Sequence, residues 1–384
     1  MVVCDITKFW CETGGGIRRF LTEKHRYLKQ YSQNRYILII PGHKDSVEEN
    51  GNVCVYRLKS FRFPFDKSYR LLLRPWAIRK IIRRERPDIV DVSSHLLVPW
   101  MALWGSRGLE TRFVSSLHSN YVESYVRPVA KKLGRKMEEW LCRWAWRYFI
   151  FLHQKFAKIL VVSEQVGRPL QERYPSKVVV IPLGVDPEIF HPKNRSEASR
   201  KLLTGGVTGD RVALYVGRLS HEKGIDLLLD LAPWMYEKFH IRLAVCGDGP
   251  FRKRMEQAAR RPEITYLGFI GDPEQLSSLY ASSDFLIVPG TTETFGLAAV
   301  EAMASGIPVM VPSGTGSEQF ASGGAGITFD VGDQSDWTRA LETMVRDCKT
   351  MGLKARERAC AEYSWRETFE TILKQYQALV PERS

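Results

Sequence analysis

Residues 284–310 read DFLIVPGTTETFGLAAVEAMASGIPVM, and this stretch determines how the rest of the chain is interpreted. Phe285–Val288 is a short apolar run that predicts a buried strand, because a Pro-Gly pair ends it directly. A polar loop carrying Glu293 follows, and a run of small residues predicts a helix from about Gly296 to Ser305. The next apolar run, Val309–Val311, predicts a second strand. Strand, loop, helix and strand in this order are typical of a parallel α/β sheet.

Two carboxylates lie beside the start of the predicted helix, Glu293 in the loop and Glu301 within the helix. A helix that begins directly after a polar loop presents its first backbone amides and a partial positive charge, which together favour a phosphate group. Carboxylates repel phosphate, so we expect these two to accept hydrogen bonds from hydroxyls on either side of it. Phosphates between two sets of hydroxyls describe a nucleotide sugar.

The string ETFGLAAVEAMASGIPV (293–309) resembles the Glu-x7-Glu signature of retaining glycosyltransferase family 4, whose members have the GT-B fold. The spacing of the two glutamates alone also arises by chance in helical proteins, so the resemblance depends on the whole string. It implies that Glu293 contacts the donor sugar and that Glu301 holds the ribose. The residues between them whose amides would contact sugar and phosphate are Thr294, Phe295, Gly296 and Leu297.

Arg218 and Lys223 follow the predicted strand Arg211–Val216. By themselves they are two surface charges. In the frame VGRLSHEKGID (216–226) they resemble the family's Arg and Lys pair, which neutralises the donor diphosphate as negative charge builds on this leaving group. The sequence contains no D-x-D triplet, so we expect a reaction without a metal ion.

Further donor contacts are implied at the ends of neighbouring strands. GDGP (247–250) ends one predicted strand, and GFIGDPEQLSSLYASSD (268–284) resembles the stretch that holds the nucleobase. The donor-binding residues implied in these loops are Gly217, Asp248, Gly249, Phe269 and Ile270.

The chain begins with a predicted strand, Val2–Thr7, a glycine run at residues 14–16 and a helical pattern at Ile17–Tyr31. This is the opening of a Rossmann-like unit, although the glycines do not match G-x-G-x-x-G, and an NAD site is not supported. The glycines either permit the turn only or allow close approach of an anionic ligand. The resemblance favours the second reading and places Gly15 and Gly16 near the donor phosphates.

His118 follows the predicted strand Arg112–Leu117. A lone His is more often structural than functional. Its position in SSLHSN, however, resembles that of the family's strand-end His, which contacts the donor sugar. We therefore count His118 with Arg218, Lys223 and Glu293 as the predicted catalytic residues.

Strands alternate with helices in both halves of the chain, which predicts two Rossmann-like domains. With the resemblance, the expected architecture is α/β and GT-B, with two parallel sheets facing across a cleft. The predicted domains are a basic, acceptor-side domain at 1–182 and a nucleotide-sugar domain at 183–362. Residues 363–384 resemble the family's terminal helix, which crosses back to the first domain.

The charge of the chain is unevenly distributed. Residues 1–182 hold 33 Lys and Arg against 16 Asp and Glu, a net +17, whereas residues 183–384 hold 23 against 27, a net −4. Much of the excess lies in Arg70–Arg86 and in the Trp-rich stretch Arg127–Lys158. Arg70–Arg84 is predicted as a basic amphipathic helix, broken near its start by Pro75. Trp and basic residues together suit an anionic membrane surface. Solvated helix faces are the alternative.

Other bulk properties exclude several classes. The first twenty residues carry charges at Asp5, Lys8, Glu12, Arg18 and Arg19, which argues against a signal peptide, and no apolar run reaches the length of a membrane span. The seven scattered cysteines include no C-x-x-C pair. We expect a cytoplasmic protein, peripheral on the inner face of the membrane, without a cofactor beyond its nucleotide-sugar donor.

The expected function is that of a retaining hexosyltransferase that uses GDP-mannose or a UDP-hexose and glycosylates a membrane lipid or lipid-linked acceptor. SSLHSNYVESYVRP (115–128) resembles glycolipid-forming members of the family, including mannosyl- and sulfoquinovosyl-transferring ones. The alternatives are a GT-B transferase with a soluble sugar or polysaccharide acceptor, a GT-B nucleotide-sugar epimerase and a GT-B phosphorylase. A nucleic-acid-binding protein would explain the basic half but not the two glutamates, so no nucleic-acid partner is expected.

Overall fold

The computed structural model describes residues 1–8, 10, 15–62 and 70–380. The chain divides into two compact units, called unit 1 (Met1–Pro182 with Arg366–Ser384) and unit 2 (Leu183–Trp365). Each unit contains one large sheet with helices packed against it. Gly14, the first residue of the predicted glycine run, lies outside the described residues.

The strands of the described residues alternate with helices along most of the chain. They are β1 (Val2–Ile6), β2 (Arg35–Gly42), β3 (Ser46–Asn50), β4 (Val53–Lys59), β5 (Phe61–Arg62), β6 (Arg70–Leu71), β7 (Ile89–Val92), β8 (Arg112–Leu117), β9 (Lys158–Val161), β10 (Val178–Val180), β11 (Arg211–Val216), β12 (Ile241–Cys246), β13 (Ile264–Gly268), β14 (Phe285–Ile287), β15 (Val309–Pro312) and β16 (Gly326–Phe329).

The α-helices of the described residues follow the same order. They are α1 (Gly16–Tyr31), α2 (Pro75–Glu85), α3 (Leu97–Gly105), α4 (Arg127–Ala130), α5 (Arg135–His153), α6 (Glu164–Gln171), α7 (Glu197–Thr204), α8 (Ile225–Phe239), α9 (Arg252–Ala258), α10 (Pro273–Ala281), α11 (Leu297–Ala304), α12 (Gln334–Glu362) and α13 (Trp365–Gln377). Within these ranges, no helix combines the length and the apolar character needed to cross a membrane.

The unit 1 sheet has the strand order β10-β9-β8-β7-β1-β2-β4-β3 in the described residues. Its pairs are parallel except that β3 runs antiparallel to β4 at the edge. The sequence analysis did not predict β3. Central strands such as β2 are apolar over most of their length because helices cover both faces of a parallel sheet.

The unit 2 sheet is parallel throughout, with the order β13-β12-β11-β14-β15-β16. The predicted strand at Phe285 and the predicted helix and strand that follow it are confirmed as β14, α11 and β15. Trp337 of α12 packs against Phe329 of β16, with ring centroids 3.9 Å apart, and closes one side of the core.

The helix predicted to begin at Arg70 is wrong at its start. Arg70–Leu71 instead forms β6, which pairs antiparallel with β5. Helix α2 begins at Pro75, because proline suits the first turn of a helix, where its missing N–H has no partner to lose.

A buried charged cluster joins α1, β1, β7 and α13 inside unit 1. Lys24 Nζ donates to Asp5 Oδ1 and to the Tyr376 hydroxyl, each at 2.9 Å. Tyr376 donates to Asp91 Oδ2, and Tyr36 donates to Asp5 Oδ2 at 2.7 Å. Because buried charges need partners, these contacts fix α13 against the sheet of unit 1.

Candidate active site

The candidate site of unit 2 lies at the carboxyl ends of its central strands. From β11 the chain builds outward through β12 and β13, and then returns to the other side of β11 to form β14. The order therefore reverses between β11 and β14. Ligands of open α/β sheets bind in the crevice at such a switch point.

The loops after β11 and β14 contact each other at this switch point. Gly224 has φ +72°, and a Cβ there would lie 2.8 Å from the carbonyl oxygen of Pro289. Thr292 Oγ1 donates to the carbonyl of Glu222 at 3.1 Å. The glycine thus allows an approach that any side chain would block.

Lys223 and Glu293 form an ion pair between these two loops, with Nζ and Oε2 2.7 Å apart. Their side chains are 30% and 16% exposed, so both remain accessible to a ligand. Beneath them, Tyr215 donates to the carbonyl of Arg218 at 2.8 Å and shapes the loop that carries Lys223. Burial, and then the charge of Glu293, raise the pKa of Tyr215, so it remains a neutral donor.

The segment after Glu293 leads into α11 through Gly296, whose φ is +98°. The side chain of Phe295 is buried between Phe320 and Tyr363, with ring centroids 5.1 and 6.1 Å away. A ligand can therefore meet only the main chain of Phe295. Leu297 is the first residue of α11, where backbone amides have no partner inside the helix.

Glu301 lies in the second turn of α11 and is held by a buried tyrosine. The Tyr280 hydroxyl, on α10, donates to Glu301 Oε2 at 3.1 Å. Tyr280 is fully buried, and burial together with the Glu301 charge raises its pKa well above the usual range. One carboxylate oxygen is thus fixed by the protein, and the acceptor capacity of the carboxylate is not exhausted by this bond.

The loops after β12 and β13 pack against the loop after β11. Gly247 has φ +151°, and a Cβ there would lie 1.8 Å from the carbonyl oxygen of Gly217. The amide of Gly247 donates to the Gly268 carbonyl at 2.7 Å. Asp248 is exposed and accepts from the Gly249 amide at 2.8 Å.

Phe269 and Ile270 directly follow β13, and Phe269 is 55% exposed. The structure therefore brings the donor-binding residues predicted for unit 2 to one edge of one sheet. Their roles stay predictions.

The predicted residues of unit 1 also lie at strand ends. Gly15 precedes α1 with φ +113°, and Gly16 is the first residue of that helix. His118 follows β8, and its ring packs 4.7 Å from that of Phe20. Burial, and then the charge of Lys24, lower the pKa of His118 to about 3. His118 is therefore a neutral imidazole near pH 7.

A second histidine at this edge, His95, follows β7 and was not among the predicted site residues. It is almost fully buried and lies against Tyr121 and Phe149, with ring centroids 5.5 and 5.6 Å away. The only available signal was its position after the apolar run Ile89–Val92. The Lys24 cluster was also missed, because a lysine in an amphipathic helix normally indicates the solvated face.

Two family models match the chain. Residues 14–189 match Glycosyltransferase Family 4, and residues 204–360 match Glycosyl transferases group 1. Sulfoquinovosyl transferase SQD2 of Arabidopsis thaliana is 30% identical over 368 residues, which are 92% of this chain and 69% of that protein. A GDP-mannose-dependent alpha-(1-6)-phosphatidylinositol dimannoside mannosyltransferase of Mycobacterium tuberculosis is 28% identical over 382 residues, 97% of this chain and 95% of its own.

Among solved structures, sucrose-phosphate synthase from Thermosynechococcus elongatus has a TM-score of 0.78 at 19% identity and covers 98% of each chain. This likeness confirms the predicted GT-B fold. The identity of the Arabidopsis relative and the two matched models confirm the predicted family and the transferase class. The chain belongs to glycosyltransferase family 4 and is a glycosyltransferase with the GT-B fold.

Proposed function

We propose that this chain transfers a hexose from GDP-mannose or a UDP-hexose to a membrane lipid or lipid-linked acceptor, with retention of configuration and without a metal ion. The observation that carries the proposal is the pair formed by Lys223 and Glu293 at the switch point of unit 2. The name of the Mycobacterium tuberculosis relative supports the acceptor class, since it contains a phosphatidylinositol dimannoside.

Lys223 and Arg218 are the cations proposed for the donor diphosphate. Lys223 is a point charge whose ammonium group donates to Glu293 Oε2 at 2.7 Å. An ammonium group has three donors, so it can hold a phosphate oxygen and Glu293 together. Arg218, on the same loop, can bind two phosphate oxygens through its planar guanidinium.

The two glutamates are proposed to hold hydroxyls at the two ends of the donor. Glu293 accepts from a sugar hydroxyl, and its contact with Lys223 supports a position of that hydroxyl close to the diphosphate. Glu301 accepts from the ribose, with Tyr280 fixing the orientation of the carboxylate.

In the transfer step, the bond between the anomeric carbon and the diphosphate oxygen breaks, and a bond from the same carbon to the acceptor oxygen forms on the same face. The acceptor's proton passes to the leaving phosphate. Lys223 and Arg218 stabilise the charge that develops on this phosphate, which is the largest contribution expected from the protein. His118, as a neutral imidazole, hydrogen-bonds a sugar hydroxyl rather than acting as a cationic acid.

The basic charge of residues 1–182 supports the proposal that the enzyme acts at an anionic membrane surface. This surface is the cytoplasmic face, where anionic lipids concentrate. A lipid acceptor and a soluble donor meet at such a surface.

The test is a thermal-shift panel of UDP, GDP, UDP-glucose and GDP-mannose on the wild type, on Glu301→Ala and on Glu342→Ala, an exposed control on α12. We expect one nucleotide to raise the Tm of the wild type and of the control by a few degrees. The shift should be lost in Glu301→Ala. No shift in the wild type would remove the donor assignment. Product analysis without an acceptor then separates transfer from epimerisation, which needs none.

A further inference from the structure

Helix α5 carries a row of large apolar side chains that unit 1 leaves exposed. Met137, Trp140, Trp144 and Phe151 are each between 44% and 53% exposed. Their spacing of three, four and seven residues places them on one face of the helix. Single exposed apolar residues are ordinary, whereas a contiguous row rimmed by charges marks an interaction surface.

The row continues from α5 onto α3. The ring of Phe151 stacks on Trp100 at 6.0 Å, and Trp100 Nε1 donates to the Tyr148 hydroxyl at 2.9 Å. Trp100 belongs to an apolar groove of about 390 Å³. The groove is lined by Leu73, Pro75, Leu97, Trp100, Met101 and Trp104. We call the α5 row together with this groove the aromatic face.

Cations lie directly beside three rings of the aromatic face. Arg147 lies 5.4 Å from the ring of Trp144, and Lys155 lies 5.6 Å from that of Phe151. At the groove, Arg79 lies 4.6 Å from the ring of Trp104. Each of these three rings therefore has a cation beside it.

The carboxylates of the same segment do not offset this charge. Residues 131–155 contain seven Lys and Arg against two Asp and Glu. Both carboxylates, Glu138 and Glu139, are in ion pairs, with Arg127 at 2.8 Å and Arg135 at 3.2 Å respectively. The surface around the aromatic face is thus strongly positive.

We propose that the aromatic face docks on an anionic lipid bilayer, with α5 lying in the plane of the headgroups. An amphipathic helix with Trp and Phe on one side and Lys and Arg around them lies in this interface, where indole rings are favoured and cations meet lipid phosphates. A second copy of this chain seated on the same face would oppose two like-charged surfaces. The inference rests on the proposed lipid acceptor and names the surface that approaches it.

The opposite side of α5 supports the same conclusion. Phe149 stacks on Tyr121, with ring centroids 6.3 Å apart, and lies 5.6 Å from His95. Tyr121 and His95 follow β8 and β7, at the carboxyl edge of the unit 1 sheet. The helix that meets the bilayer with one face therefore borders the ligand-binding edge with the other. A lipid headgroup needs to travel little more than the width of one helix to reach that edge.

The test is sedimentation with vesicles of phosphatidylcholine alone or in equal parts with phosphatidylglycerol, at low and high salt. The variant carries Trp140→Ser and Trp144→Ser. The matched control carries Leu202→Ser and Leu353→Ser, which remove two apolar side chains of unit 2 that are at least as exposed as the two tryptophans. Thermal unfolding with and without GDP or UDP is measured on all three proteins.

We expect the wild type and the control to sediment with the anionic vesicles at low salt only. The Trp variant should bind these vesicles roughly tenfold more weakly, with its Tm and nucleotide shift retained. The proposal is overturned if the wild type ignores anionic vesicles or if the Trp variant binds like the wild type. It is also overturned if the wild type is a dimer that the Trp substitutions dissociate. If neither GDP nor UDP raises the Tm of the wild type, that result refutes the proposed function and does not affect the docking proposal.

Discussion

Lys223 Nζ lies 2.7 Å from Glu293 Oε2, although 70 residues separate the two along the chain. The lysine follows β11 and the glutamate follows β14, so the pair crosses the point where the strand order of unit 2 reverses. The resemblance predicted that Lys223 contacts the diphosphate of the donor and that Glu293 contacts its sugar. Their contact means that the affinity of each for a ligand depends on the other.

The first prediction concerns this dependence. Glu293→Gln removes a negative charge next to the diphosphate cation, so free GDP or UDP should bind more tightly, by roughly 1 kcal/mol or about fivefold for a partly exposed pair. Turnover of the nucleotide sugar should nevertheless fall at least about tenfold, because the sugar hydroxyl loses the negative charge of its hydrogen-bond acceptor. Calorimetry gives the nucleotide affinity, and initial rates give the turnover.

Lys223→Ala should lower both the nucleotide affinity and the turnover. Lys238→Ala, at an exposed lysine on α8, is the control and should change neither of them. Parallel changes in binding and rate for Glu293→Gln would argue against the pair.

The second prediction concerns the close approach of two loops. An alanine at Gly247 would place its Cβ 1.8 Å from the Gly217 carbonyl, at a φ of +151°. Gly247→Ala should therefore lower the free energy of unfolding by more than about 3 kcal/mol and abolish the nucleotide-induced Tm shift. Gly209→Ala is the control, since Gly209 also has a positive φ but no atom within 4 Å of its Cβ position. It should cost about 1 kcal/mol. If Gly247→Ala and Gly209→Ala lowered the free energy of unfolding in urea equally, backbone strain alone would explain both effects, and the close approach of the two loops would contribute nothing.

The third prediction concerns His118. With its pKa lowered to about 3 by burial and by Lys24, His118 stays neutral across the whole range in which an ordinary histidine titrates. His118→Gln should reduce kcat by the same factor at every pH between 5.5 and 8, so that the shape of the pH–rate profile does not change. An inflection near pH 6.5 that is present in the wild type and lost in the variant would contradict a neutral role.

The fourth prediction concerns Asp5 in the buried cluster. Burial raises the pKa of Asp5 to about 6, against 3.8 for the unperturbed carboxyl, and the attraction of Lys24 only partly opposes this. Between these two values the folded protein keeps a proton that the unfolded chain has lost. The contribution of Asp5 to stability therefore falls as pH rises from about 4 to about 6. Asp5→Asn should remove this slope from the free energy of unfolding, and Asp347→Asn, an exposed control, should keep it. An unchanged slope in Asp5→Asn would assign the proton to another group.

The sequence predicted β14, α11 and β15 closely because an apolar run, glycine and proline mark every boundary there. It failed at β3, where Ser46–Asn50 is almost wholly exposed and carries no apolar alternation. For the site, the resemblance identified Lys223 and Glu293 separately. Their contact depends on the reversal of strand order, which no local pattern contains.

The cluster around Lys24 was equally hidden. Its members, Asp5, Lys24, Asp91 and Tyr376, come from four elements, and each looks like a surface residue in its own stretch of sequence. Only the packing of α13 shows that they lie together inside unit 1. Charged residues in the interior break the hydrophobic pattern on which such predictions depend.

The position of Tyr376 in this cluster also orders events during synthesis. The ribosome makes residues 1–182 first, but Asp91 and Lys24 receive the tyrosine hydroxyl only from residue 376, after all of unit 2 has been made. Unit 2 is continuous in sequence and can fold as it emerges. In residues 1–182, by contrast, Lys24 and Asp91 lack the hydrogen bonds to the Tyr376 hydroxyl until residue 376 has been made. Of the two units, the one whose translation begins earlier is thus completed later.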